Sequence, residues 1–204
     1  IMNDTAPMKF GMGARPRRKE DKTLVTGTGR FTDDYTPPGC LRAFVVRSSM
    51  AHAKIKVGDL AAAREMPGVR LILTAADIEG VNGVPCKIKL LQIDGTYQKI
   101  PKHPLLCGDM VRHVGDPIAF IVADTLDEAV AAADAIEIDY DPLPAVVDMH
   151  RALEDDAPLV WPEYKSNVAF TCAKGAKAAT DAAFLEAARV SRIEIVNNRL
   201  VANY

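Results

Sequence analysis

The densest run of reactive side chains lies between positions 103 and 116, where His103, Cys107, Asp109, His113 and Asp116 fall close together. These residue types are the ingredients of nucleophilic catalysis: a thiol, an imidazole base and a carboxylate that orients the base. The chemistry requires base and nucleophile within hydrogen-bond reach. Pro104, Gly108, Gly115 and Pro117 interrupt this segment, so closeness in sequence does not establish closeness in space. The plainer expectation is a surface loop over a buried Cys107. His52, in Met50-Ala51-His52-Ala53 at a strand junction, is expected to be a hydrogen-bonded structural histidine rather than a metal ligand. Glu154-Asp155-Asp156 reads as a solvated turn.

Metal and nucleotide chemistry find less support. Cys40, Cys86, Cys107 and Cys172 are 46, 21 and 65 positions apart. The tight Cys/His spacings of zinc and iron–sulfur sites are missing. All four are expected to be packing residues, because a free cysteine behaves as a small buried hydrophobe. Gly11-x-Gly13 and Gly27-x-Gly29 lack the preceding strand, the following helix and the third glycine of a dinucleotide loop. No serine sits in Gly-x-Ser-x-Gly. The residues therefore nominate no catalytic, no cofactor-binding and no metal-ligating position.

The elements that would position any site are clearer. Leu41 to Arg47 and Ala53 to Val57 read as strands, the second alternating Ile55 and Val57 against Lys54 and Lys56. Asp59 is a favoured N-cap for a helix carrying Leu60, Ala63 and Arg64, which Pro67-Gly68 ends. Val69 to Thr74 is the next strand. Residues 80–117 are loop-rich, with a candidate strand from Lys87 to Ile93 and a hairpin through Asp94-Gly95. Ile118 to Ala123 is continuously apolar, as in a strand buried on both faces. Thr125-Leu126-Asp127-Glu128 fits a capping box. Leu126, Ala129, Val130 and Ala133 then share one helical face, and Ile136, Ile138 and Tyr140 alternate with acidic residues. This strand–helix–strand unit is expected to be the stability centre. Pro142, Pro144, Pro158 and Pro162 mark a connector. A helix is expected from Asp181 with Phe184, Ala187 and Ala188 inward, then a last strand from Arg192 to Val201. That apolar stretch runs almost to Tyr204, an abrupt end for a self-contained domain.

Composition narrows the function classes. The 204 residues carry a formal net charge of -2, with 49% hydrophobic and 25% charged residues. Such proportions suit an ordinary globular protein. The balance gives no basic footprint for nucleic acid. The longest apolar run, Ile118 to Ala123, is far shorter than the roughly 20 residues of a membrane span. The polar start has no apolar core of a signal peptide, and Arg17-Arg18 is followed by Lys19-Glu20-Asp21 where twin-arginine export needs apolar residues. The expected compartment is cytoplasmic.

Four motifs, in order, carry a resemblance. They are Arg17-Arg18-Lys19-Glu20-Asp21 through Leu24-Val25-Thr26-Gly27-Thr28-Gly29-Arg30-Phe31-Thr32-Asp33-Asp34; Arg47-Ser48-Ser49-Met50-Ala51-His52-Ala53-Lys54-Ile55; Val111-Arg112-His113-Val114-Gly115-Asp116-Pro117-Ile118-Ala119; and Asp139-Tyr140-Asp141-Pro142-Leu143-Pro144-Ala145-Val146. Together they resemble the N-terminal α/β-hammerhead domain of the large, molybdenum-binding subunit of molybdenum hydroxylases, the xanthine dehydrogenase, aldehyde oxidase and aerobic carbon monoxide dehydrogenase enzymes. The family often has Pro where Ser49 stands and usually Glu where Asp116 stands.

The resemblance implies an α+β fold, a hammerhead with a mixed sheet and a few short helices, followed by the start of the molybdenum-binding domain. It implies a flexible arm over 1–15, the hammerhead over 16–150, and over 151–204 a connector and entry strand of the next domain. The parent activity would be hydroxylation of aldehydes, N-heterocycles or related carbon centres with oxygen from water. The parent cofactors would be molybdopterin-molybdenum, with 2Fe-2S clusters and FAD on partner domains or subunits. The family's catalytic glutamate and pterin loops lie far beyond this region, so no position here inherits those roles and this chain alone is expected to be inactive, with no cofactor of its own. Its partners would be the molybdenum-binding domain and the iron–sulfur and flavin subunits or domains. The alternatives are a free-standing binding or assembly module, and a small enzyme built on the His103–Asp116 loop.

Overall fold

A computed structural model describes residues 18–196. The expected arm over 1–15 and the second half of the expected last strand lie outside those residues. In chain order the described elements are α1 (Asp21–Val25), β1 (Arg42–Arg47), β2 (Ala53–Val57), α2 (Ala61–Arg64), β3 (Val69–Leu73), β4 (Met110–Val111), β5 (Pro117–Ala123), α3 (Leu126–Asp134), β6 (Ile138–Pro142) and α4 (Lys177–Glu186), with short 3-10 turns between them. The strands form two three-stranded sheets, ordered β1-β5-β3 and β4-β2-β6. This is the α+β class expected.

The second sheet shows how the sequence sets its register. β2 pairs antiparallel with β4 and with β6. Ile55 faces Tyr140 and Val57 faces Ile138, while Lys54 faces Asp141 and Lys56 faces Asp139. A strand's period of two sends its apolar residues to one face and its charges to the other. Here the outward lysines meet opposite charges, a favourable cross-strand arrangement. Ala53, Ile55, Cys107, Val111 and Ile118 form the buried cluster, with Val57, Ile138 and Tyr140 packed against it.

The chain divides into two compact units, interleaved along the sequence. Among the described residues, one takes 18–44 together with 60–72 and 121–135; the other takes 45–59, 73–120 and 136–196. In the first, Ala63, Ile72, Ile121, Ala123, Ala129 and Ala132 are buried, and α2 packs on α3. The capping box of α3 forms as expected. The Thr125 N–H and hydroxyl donate to Glu128 Oε2 at 2.9 and 2.7 Å, and the Glu128 N–H donates to Thr125 Oγ1 at 3.2 Å. Gly68, at φ +77°, lies beside that box: a Cβ there would collide with the Glu128 carboxyl group.

The strand–helix–strand unit forms as expected, with its two strands, β5 and β6, in different sheets. Several expectations need correction. The inward face of α3 is set by Ala129 and Ala132, and Leu126, in the first turn, stays 50% exposed. The N-cap of α2 is Leu60 without a side-chain cap, not Asp59, because the helix is a single turn that starts two residues later. The hairpin at Asp94-Gly95 turns as expected, with Gly95 at φ +81°. Its arms pair only through an isolated Leu91↔Tyr97 bridge, not a strand over 87–93. The charged stretch around Asp21 forms α1, a helix that the sequence pattern did not indicate. α4 starts earlier than Asp181 and buries no residue. Phe184 is 58% exposed, because α4 has no packing partner among the described residues. Residues 192–196 carry no strand pairing and are exposed.

Candidate functional site

Three of the four motifs converge on one set of loops. From the second motif, Arg47 Nη1 donates to the Gly115 carbonyl at 2.9 Å. The Ser48 N–H donates to the Asp116 carbonyl, and the Gly115 N–H returns a bond to the Ser48 carbonyl, both at 2.8 Å. The buried Ser48 hydroxyl closes its own turn, donating to the Met50 carbonyl and accepting from the Met50 N–H. From the fourth motif, the Leu143 N–H donates to the His52 carbonyl, and His52 Nδ1 lies 2.8 Å from the Pro144 carbonyl. His52 is thus the structural histidine expected.

Asp116 is the hub of the third motif. Its side chain is only 6% exposed. Oδ2 accepts the N–H groups of Arg112 at 2.6 Å and His113 at 3.2 Å. Oδ1 lies 2.9 Å from His113 Nδ1. Gly115, at φ +94°, supplies the left-handed residue that lets 112–116 double back on itself.

This geometry decides the fate of the reactive run. His113 and Asp116 come together, yet the dyad addresses no nucleophile. Cys107 is buried, its N–H held by the Pro117 carbonyl. Burial pushes its thiol up to about 11, with the Asp116 carboxylate adding to the rise. A neutral, buried thiol is a poor nucleophile and a poor metal ligand. His103 and Asp109 are exposed; their backbone carbonyls accept from Val84 and Ile55. The expectation that all four cysteines pack inside is corrected: Cys40, Cys86 and Cys172 are exposed. Each lies in a turn or loop with no core beneath it. Glu154 and Asp156 flank an exposed turn and are bridged by Arg151 Nη1 at 2.9 and 2.6 Å. Gly27 follows α1 rather than opening a helix, so no phosphate cradle forms there; Gly11 and Gly13 lie outside the described residues.

A cleft of about 500 Å³ adjoins these loops, lined among others by Glu79, Asn82, Lys102, Asp109, Arg112 and Trp161. Two side chains in its wall do work that the sequence did not announce. Asn82 Oδ1 accepts the N–H groups of Leu105 and Leu106 at 2.8 and 3.0 Å, and its Nδ2 donates to the Leu106 carbonyl. The Arg112 guanidinium stacks 3.8 Å from the centre of the Trp161 ring. Asn167 likewise ties the connector, accepting from Val160 and donating to the Ala152 and Pro158 carbonyls. An asparagine in a loop carries no local sign of partners that far away. Only Asn82-Gly83 was readable, as a turn signal.

Among the described residues no three His, Cys, Asp or Glu side chains converge on a point that could hold a metal ion. What the site does chemically is bind backbone: each motif side chain followed above fixes a loop.

Known proteins share the pattern. Residues 26–144 match the family model described as the aldehyde oxidase and xanthine dehydrogenase a/b hammerhead domain. The carbon monoxide dehydrogenase large chain of Afipia carboxidovorans is 36% identical over 194 residues, covering 89% of this chain and 23% of that protein. The 6-hydroxypseudooxynicotine dehydrogenase complex subunit gamma of Paenarthrobacter nicotinovorans is 35% identical, covering 92% and 23%. A crystal structure of the Cu,Mo-CO dehydrogenase in its carbon monoxide reduced state superposes with a TM-score of 0.63 at 33% identity, over 88% of this chain and 23% of that one. The chain spans about a quarter of the length of these relatives.

Proposed function

The chain belongs to the aldehyde oxidase and xanthine dehydrogenase family through its a/b hammerhead domain, and from that premise we propose that it is a non-catalytic scaffold portion of a molybdenum hydroxylase large subunit. On this reading residues 16–150 are the hammerhead, and 151–204 lead into the molybdenum-binding domain. The parent enzyme, in the cytoplasm, hydroxylates an aldehyde, an N-heterocycle or a related carbon centre with oxygen from water. Molybdopterin-molybdenum sits elsewhere in the large subunit. Electrons leave through 2Fe-2S clusters and FAD on partner domains or subunits.

The observation that carries the scaffold role is the engagement of the motif side chains. Arg47 and His52 hold neighbouring loops, Ser48 and Asp116 close their own turns, and the thiol nearest to them is buried and protonated. A hammerhead of this kind presents rigid surfaces and leaves the chemistry to its neighbours.

Two measurements test the reading. Molybdenum analysis of the material purified from its native source is expected to find the metal in a larger assembly that contains this sequence. The pure 204-residue chain is expected to show no turnover of aldehydes or purines with an artificial electron acceptor. A metal-free, monodisperse native monomer would favour a free-standing assembly module, and turnover by the chain alone would refute the scaffold role.

A further inference from the structure

We propose that residues 145–171 are a strap fastened onto the second compact unit by a latch between Arg112 and Trp161. Release of the latch opens the clefts behind the strap, and the loose passage towards α4 starts only at Cys172. The sequence pattern reads this stretch as a connector, and the family model stops at residue 144. A linker between domains is exposed, and few contacts cross it. This stretch is built differently.

Both ends of the strap are tied. At its start, the Leu143 N–H donates to the His52 carbonyl, and the Pro144 carbonyl meets His52 Nδ1. At its end, the N–H groups of Lys99 and Ile93 donate to the carbonyls of Ala169 and Thr171 at 3.0 and 3.3 Å, and the Thr171 N–H donates to Gln92 Oε1. Between these ties the strap closes on itself. Asp148 Oδ1 accepts the N–H groups of His150 and Arg151. The Asn167 side chain spans Ala152, Pro158 and Val160, and Ala157 is buried. Past Thr171 the ties end: among the described residues, 172–175 are exposed and no hydrogen bond holds them.

The middle of the strap is held by one side chain of the third motif. Asp116 fixes the Arg112 N–H at 2.6 Å. Arg112 Nε donates to the Val160 carbonyl at 3.3 Å, and its guanidinium lies 3.8 Å from the centre of the Trp161 ring. One stack and one hydrogen bond shift an equilibrium by about tenfold. Such a fastening keeps the strap closed for most of the time and lets it open. The clefts show what it closes off. Val160 and Asn167 line a cleft of about 420 Å³ together with His52, Arg112 and His113. Trp161 lines the cleft of about 500 Å³ and, with Tyr164, a third of about 240 Å³. Arg112 borders the first two and Trp161 the last two, so the stacked pair is the partition that a lifted strap removes.

Trypsin and the single tryptophan test this in the 204-residue chain. A loose connector offers Arg151 and Lys165 as readily as Lys174, whereas a fastened strap does not. Timed digests read by mass spectrometry are expected to show the wild type cut after Lys174 about tenfold faster, or more, than after Arg151 or Lys165. Arg112→Ala is expected to speed the cut after Lys165 by about tenfold, since cleavage follows the population of the open form. The rate after Lys174 and the circular dichroism should stay at wild-type values. Trp161 emission should move to the red, and its quenching by acrylamide should rise as the clefts open. Arg112→Lys, which keeps the cation and loses the Nε bond, should fall between the two. Equal cleavage after Arg151, Lys165 and Lys174 in the wild type overturns the strap. Unchanged cleavage after Lys165, or unchanged quenching, in Arg112→Ala overturns the latch. If Arg112→Ala loses its fold, Trp161→Leu breaks the same contact from the strap side and is judged by its cleavage pattern. Loss of fold in both variants overturns the latch as well, because the pair is then a core contact that does not open.

Discussion

Replacing the Asp116 carboxylate with a methyl group would leave the Arg112 and His113 N–H groups without their acceptor in a site that is almost closed to water. A buried donor left unpaired costs about 1–3 kcal/mol. Asp116→Ala is therefore expected to lower the stability of the chain by about 2 kcal/mol in urea denaturation, and Asp116→Asn by less, because one acceptor oxygen remains. Equal losses would mean that the charge, not the acceptor, holds the loop. Cys107 gives a second test. In the native chain at pH 8, Cys40, Cys86 and Cys172 are expected to react with iodoacetamide within minutes, and Cys107 only after unfolding. Its folded value of about 11 lies above the ordinary 9.0, so above pH 9 the unfolded chain releases this proton first. Stability is then lost as pH rises from 9 towards 11, and the Cys107→Ala variant should show a shallower fall. At this scale the sequence indicated the roles of His52 and Cys107, a histidine at a strand junction and a small apolar side chain, although the partner of His52, the Pro144 carbonyl, lies far along the chain. It hid Asn82 and Trp161, whose partners come from other loops, and Asn167, whose bonds appear only once the connector has folded back on itself. It also overstated the burial of three cysteines, because apolar character alone does not say whether a core lies beneath.

α3 and the turn before β3 act as one device. Thr125 and Glu128 cap the helix reciprocally, and Gly68 sits against the same Glu128 carboxyl while its carbonyl accepts the Asp124 N–H. Thr125→Ala removes the cap and is expected to cost about 1 kcal/mol. Gly68→Ala introduces a Cβ at φ +77° where Glu128 stands, and should cost about 1 kcal/mol or more. Both act through Glu128, so the double variant should lose less than the sum of the two, by about 0.5 kcal/mol or more. Strict additivity in thermal or urea unfolding would show that the turn and the cap are independent. Elements with a local signature were legible: the capping box, the continuous apolar run of β5 and the alternation of β2 and β6 all appear where the pattern put them. Sheet partnership was not. Nothing within residues 118–140 says that β5 pairs with β1 and β3 while β6 pairs with β2, because long-range pairing is set by the chain as a whole.

The family-level architecture was readable from four ordered motifs, whereas the surfaces that await partners show only in the structure. α4 is the clearest such element. It is a helix of ten residues, Lys177–Glu186, that buries none of them, and Leu185 is 88% exposed. Isolated helices shorter than about 12–15 residues are marginal in water, since packing rather than propensity supplies most helical stability in proteins. The stretch beyond it presents Val190, Ile193, Ile195 and Val196 at 55%, 81%, 76% and 54% exposure. Burying such a side chain is worth about 1.5–3 kcal/mol, so a partner surface has much to gain by covering them. In the isolated chain the amides of 177–186 and 190–196 are expected to exchange with solvent orders of magnitude faster than those of Ile118–Ala123, which lie in a central, buried strand. In the complete large subunit the same amides should become protected, because the added polypeptide supplies the packing that α4 lacks. Protection in the isolated chain equal to that of β5 would show that α4 is stable without any partner. Unchanged fast exchange in the complete subunit would show that the segment from 177 onward is a linker and not the approach to a further domain.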